Sequence, residues 1–147
     1  MQDLFWRLFG VPLSRAERAS VFERMLDGRA GPEAVDFVRA DVTHNTEKSG
    51  ALLAAQAIFL VVDLFGLEQH WSKLLLIPGM LLLLGCCVLA MANLKPTLGM
   101  YRKHPGTLPA RGVFDVLVRR TIRLNLALYL TFISILMLAA AALLPAS

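Results

Sequence analysis

Three long apolar stretches dominate the pattern of the chain: Gly50 to Leu67, Leu74 to Ala92 and Leu124 to Leu144. Each is close to the roughly 20 residues that an α-helix needs to cross about 30 Å of hydrocarbon. The pattern therefore predicts three transmembrane helices, at about 50–67, 74–92 and 124–144. The first qualifies only if Asp63 lies inside it.

Between these stretches the apolar positions fall at helical spacing. Met1, Leu4, Phe5, Leu8 and Phe9, with Trp6 beside them, predict a short amphipathic helix on the inner membrane face, ended by Gly10 and Pro12. Ser14 with Glu17 is a capping-box pattern, and it opens a helix with a stripe of Phe22, Met25 and Leu26 and a stop at Gly28. Gly31-Pro32-Glu33 starts another, with Pro at the first helical position and Val35, Val38 and Val42 on its apolar face. That helix can run straight into the first span, and a break at His44-Asn45 is the alternative. Asn93 to Pro96 stops the second span, Pro105, Gly106, Pro109 and Gly112 mark a loop, and from Val113 a basic helix feeds the third span. The expected fold is an all-α membrane protein with a helical region over 1–47 and a three-span region over 48–147, the latter carrying a basic link at 93–123.

Composition agrees with that class: 56% of the 147 residues are hydrophobic, and the mean hydropathy is +0.59. Charge adds orientation. Seven Lys and Arg precede the first span and seven occupy the 93–123 link, against Lys73 alone between the first two spans. The excess of positive charge predicts a cytoplasmic N-terminus. The opening Met1 to Phe9 alternates charge with aromatics and lacks the continuous apolar run of a cleaved signal peptide.

The two basic regions differ. Before the first span eight acidic residues offset the seven basic ones, whereas the 93–123 link sets only Asp115 against seven, a formal charge of about +6. Such a link serves as a topology signal and a contact for anionic lipid. Clustered arginines also suit an anionic ligand such as a nucleotide, since their forks match phosphate geometry.

Catalytic chemistry is missing from the pattern. No phosphate-cradling glycine loop, nucleophile elbow or metal-ligand spacing occurs, and His44, His70 and His104 are scattered. Adjacent Cys86 and Cys87 read as small packing residues of the second span. No enzyme activity, catalytic residue, metal or cofactor is expected. Asn125, Thr131 and Ser134 read as ordinary packing polars, and Pro78-Gly79 as a kink.

The first span is the exception. Ser49, Gln56 and Asp63 recur every seven residues, about two helical turns, and so share one face. Ionisable side chains in a membrane helix are expensive and normally face protein or water. One reading places Asp63 at the outer boundary beside water or Lys73. The other makes Ser49, Gln56 and Asp63 the lining of a conduit, which one three-span chain cannot enclose and several copies can. A homo-oligomer of four or more subunits follows from the second.

Asn45 to Leu60, Asn-Thr-Glu-Lys-Ser-Gly-Ala-Leu-Leu-Ala-Ala-Gln-Ala-Ile-Phe-Leu, resembles the approach to the first span of Pycsar-type transmembrane effectors, membrane proteins of bacterial anti-phage defence. Those read Asp-Thr-Lys-Ala, then Leu-Leu, then Asn-Gly. Glu47 and Lys48 match the acid and the lysine, and Gln56-Ala57 stands in place of Asn-Gly. The likeness extends to Leu94-Lys95-Pro96 and Arg119 to Leu130, about two thirds of the chain. It implies an oligomeric, multi-pass effector of the bacterial inner membrane that senses a nucleotide signal, made by a partner enzyme, and impairs the membrane. A related Hailong-type effector, a pore controlled by a DNA oligomer, is implied as well. Lys48, Arg119, Arg120 and Arg123 are then the candidate ligand-binding residues. The alternatives are a non-channel anchor or interaction subunit for a soluble partner docking on Ser14 to Val42, and a small transporter or accessory subunit.

Overall fold

The computed structural model describes residues 14–29, 31–69, 71–94 and 110–144. The amphipathic helix expected over Met1 to Phe9, the loop marked by Pro105, Gly106 and Pro109, and the link residues Lys95, Arg102 and Lys103 lie outside them. Among the described residues the chain forms four helices and no strand: α1 (Arg15–Leu26), α2 (Gly31–Glu68), α3 (Lys73–Leu94) and α4 (Ala110–Leu143). Three of them, α2, α3 and α4, are long and apolar enough to cross a membrane. The chain is thus a multi-pass membrane protein by the length and apolarity of its helices.

Local chemistry accounts for the ends. Ser14 caps α1: its hydroxyl accepts from the Glu17 N–H at 3.0 Å, and its own N–H donates to Glu17 Oε2 at 2.9 Å. Two otherwise orphaned donors are satisfied reciprocally. At the far end Asp27 takes the left-handed conformation and returns its N–H to the Glu23 carbonyl, so the helix stops one residue ahead of Gly28. Helix α2 opens on Gly31-Pro32-Glu33, as the sequence predicts.

No break occurs at His44-Asn45. Helix α2 runs unbroken for 38 residues, and polar side chains around this point find partners without interrupting it. The Thr43 hydroxyl donates to the Arg39 carbonyl and the Thr46 hydroxyl to the Val42 carbonyl, each one turn back. Asn45 Nδ2 donates to Thr121 Oγ1 on α4 at 2.8 Å.

Contacts divide the described residues into two units. The first takes in described residues of Met1–Thr46 and of Lys95–Ile122, and the second those of Glu47–Leu94 and Arg123–Ser147. Residues 110–122, a described part of the basic link, go with the N-terminal region through apolar packing. Val38 and Val42 of α2 bury against Val113, Phe114 and Val118 of α4, with Phe22, Met25 and Leu26 of α1 packed on them. The Phe22 and Phe114 rings lie 5.1 Å apart at a tilt of 57°, an arrangement that aromatic quadrupoles favour.

The second unit is built on a shared period. Buried positions recur at alternating three- and four-residue steps, 76, 79, 83, 86, 90 and 93 on α3, with Cys87 beside the row, and 124, 127, 131, 134, 138 and 141 on α4. On α2, residues 49, 56 and 63 bury at the same seven-residue period. A 3.5-residue repeat keeps one seam facing its partners, as in left-handed helix packing. At Gly79 the backbones of α3 and α4 come close. An added Cβ there would lie 3.4 Å from Met137 Cβ and 3.7 Å from the Ser134 carbonyl oxygen. Gly66, near the end of α2, lies beneath the Trp71 ring, where a Cβ would stand 2.5 Å from Cε3. Only a residue without a side chain fits that turn.

Candidate functional site

Ser49, Gln56 and Asp63 all point into the second unit. Ser49 and Gln56 are fully buried and Asp63 is 2% exposed. A single chain therefore shelters all three, and the premise that only several copies could do so does not hold. Three helices enclose the stripe because α3 and α4 present small or polar residues opposite it.

Those partners form a polar seam through an otherwise apolar core. Asn93 Nδ2 of α3 donates to Ser49 Oγ at 3.2 Å, and Gln56 Nε2 donates to Thr131 Oγ1 of α4 at 2.7 Å. Ser134 Oγ donates to the Gly79 carbonyl at 2.6 Å, tying α4 to α3. Thr131 decides how Gln56 is oriented. Its hydroxyl proton goes to the Ala127 carbonyl at 2.7 Å, so toward Gln56 the oxygen can only accept. The amide must then offer N–H, which turns Oε1 away.

Buried acceptors are left unmet, one on Gln56 and one on Asp63 among them. Gln56 Oε1 and Asp63 Oδ2 are buried without a hydrogen-bond partner. An unsatisfied buried polar atom costs about 1–3 kcal/mol, and native proteins carry few. Asp63 forms no ion pair with any described residue, and Lys73, the partner considered at the outer boundary, is exposed at the start of α3. Asp63 thus sits inside the helices, its Oδ2 unanswered.

The basic residues separate. Arg119 and Arg123, one turn apart on α4, are both exposed, whereas Arg120 is buried. Arg120 lies seven residues before Ala127 and seven after Val113, both buried, so it shares their inward row. It is 7% exposed, and its Nη1 donates to Thr46 Oγ1 at 2.6 Å. Arg119, Arg123 and Lys48 are exposed. Arg120 is a contact between α4 and α2, and the other three remain available to an anion.

One device recurs. Thr46, Thr121 and Thr131 each donate to the carbonyl four residues back and accept from a side chain of another helix. Each threonine thereby turns a backbone carbonyl, already used in its own helix, into a docking point for Arg120, Asn45 or Gln56. Asn93, Thr131 and Ser134 were read as plain packing residues or helix ends. Their signal was present in the sequence, since Asn93 stands seven residues from Cys86, and Thr131 seven from Leu124 and Leu138.

No known family, curated protein or solved structure matches the chain. The likeness to anti-phage effectors rests on the residues quoted for it.

Proposed function

We propose that this protein is a membrane effector in which the Ser49, Gln56 and Asp63 seam is the closed form of a cation path. The observation that carries the reading is that Gln56 Oε1 and Asp63 Oδ2, buried within a membrane-spanning unit, are acceptors without a hydrogen-bond partner. Stability alone favours apolar residues there. Acceptors that protein does not satisfy are suited to water and cations, and rings of Asp select cations in channels. Opening consists of separating or turning the helices so that the seam meets water. Because three helices fill their own interior, a continuous path needs several copies, and a homo-oligomer in the bacterial inner membrane is part of the proposal. A nucleotide or oligonucleotide signal acting on exposed Lys48, Arg119 and Arg123 is the proposed control, in keeping with the likeness to anti-phage effectors.

The test is membrane depolarisation in cells expressing the protein, supported by ion currents in planar bilayers at matched protein levels. Asp63→Leu is expected to abolish both, and Asp63→Asn to retain a current of reduced cation selectivity. Depolarisation by Asp63→Leu equal to that by the wild type would overturn the reading.

A second reading draws on a different observation. The Ser49–Asn93 and Gln56–Thr131 bonds are the interhelical pairs that hold membrane helices together, and they suit a non-channel anchor for a soluble partner. Under that reading the wild type, like Gln56→Leu and Asp63→Leu, leaves the membrane potential of expressing cells unchanged.

A further inference from the structure

The N-terminal unit holds a cleft that the seam does not explain. Arg15, Arg18, Ala19 and Phe22 of α1 face Arg111, Phe114 and Asp115 at the start of α4, enclosing about 470 Å³. The volume falls within the roughly 300–1,000 Å³ of small-molecule sites. Its lining has two chemistries. Phe22, Phe114 and Ala19 are apolar, and the two rings are fixed against each other at 5.1 Å. Three arginines against one carboxylate make the remainder basic.

Each arginine reaches this cleft for a structural reason. Arg15 and Arg18 lie one turn apart on α1, whose start is fixed by the Ser14 and Glu17 capping box. Arg111 and Asp115 lie one turn apart on α4, and Phe114 between them is anchored in the apolar core. The arginines are thus carried on two helices packed together through Phe22 and Phe114, which sets them around one cleft. Guanidinium forks match phosphate oxygens with paired hydrogen bonds, and aromatic faces accept a planar or apolar body beside them.

We propose that this cleft binds a small organic phosphate, its phosphate held by Arg15, Arg18 and Arg111 and its apolar body laid against Phe22 and Phe114. Two sources share that chemistry, a soluble nucleoside phosphate and the headgroup of an anionic phospholipid. In assigning the cleft to a regulatory signal, the inference rests on the effector reading above. Occupancy itself is independent of ion flow. The site differs from the one expected at Lys48, Arg119, Arg120 and Arg123 and shares no residue with it.

The experiment measures anisotropy of a fluorescent nucleoside monophosphate, mant-AMP, on full-length protein in phosphatidylcholine nanodiscs. Saturable binding is expected, weakened about tenfold by Arg15→Gln, Arg18→Gln or Arg111→Gln, as for loss of a charged hydrogen bond. Asp115→Asn is expected to tighten it severalfold. Ala19→Trp keeps every charge and fills the cleft, so it should abolish binding while the helical circular dichroism stays unchanged. If phosphatidylglycerol nanodiscs displace the probe from wild-type protein, the phosphate comes from lipid and the site stands. Binding unaffected by Ala19→Trp and by all three arginine variants overturns the proposal, as does the absence of binding to both the probe and phosphatidylglycerol. Probe binding that leaves depolarisation unaltered keeps the site and removes its regulatory role, which separates the two failures.

Discussion

The two units solve the packing problem in opposite ways. In the N-terminal unit the core cluster is apolar, with Val38, Val42 and Phe114 buried and Arg39 and Asp36 left outside, and its one buried charge among the described residues, Arg120, is met by Thr46. The spanning unit reverses this. Leu74 is 78% exposed and Ile58 66%, while Gln56 and Asn93 are fully buried. Hydrocarbon gives no reward for burying Leu, so a membrane unit is held by close backbone contact and interhelical hydrogen bonds. Gly79 beside Ser134 and Gln56 on Thr131 supply both. The difference teaches that burial alone does not identify a core. A buried valine stabilises the first unit, and a buried carboxylate with an unmet oxygen burdens the second.

That contrast can be broken in three places. The largest effect is expected for Val38→Asn, which places an unsatisfied amide in the apolar core of the N-terminal unit. It should cost about 4 kcal/mol, read by amide exchange across α1 and the first turns of α4. Next comes Asp63→Leu, the opposite exchange in the spanning unit. Removal of the unmet carboxylate oxygen should stabilise the unit by about 2 kcal/mol, seen as a raised midpoint in a steric-trap or detergent unfolding titration. Loss of stability would mean that Asp63 is satisfied in the membrane, and the seam would lose its claim to function. The smallest effect is the coupling between Gln56→Leu and Thr131→Val in a double-mutant cycle. About 0.6 kcal/mol is expected, the average for bonds between membrane helices. A value near zero would leave Gln56 with no gluing role.

Much of the architecture was legible because it depends on local or periodic signals. The three spans follow from apolar length, the start of α1 from Ser14 and Glu17, and the start of α2 from Pro32 and Glu33. The seven-residue register of Ser49, Gln56 and Asp63 revealed a common face. What that face met was not legible. Asn93 and Thr131 are ordinary in their own helices, and their pairing with Ser49 and Gln56 depends on how the helices are rotated and staggered. Charge misled in a related way. Arg119, Arg120 and Arg123 look equivalent as cations, yet neighbouring positions on a helix point about 100° apart, and Arg120 falls on the inward row. Arg15 and Arg18 were counted only as topology signals and Arg111 only as one of the link's basic residues, because residues about 95 positions apart in sequence give no hint that they share a cleft.

The continuity of α2 has a consequence for how a signal could be encoded. Ser49, Gln56 and Asp63 ride on one uninterrupted helix, with no proline between them, and span about 21 Å along its axis at 1.5 Å per residue. Such a segment resists twisting within itself, so turning the segment moves all three side chains by the same angle. They cannot be released in sequence like the teeth of a zip. In the opening proposed above they would act as a gang switch, the hydroxyl, the amide and the carboxylate changing surroundings together.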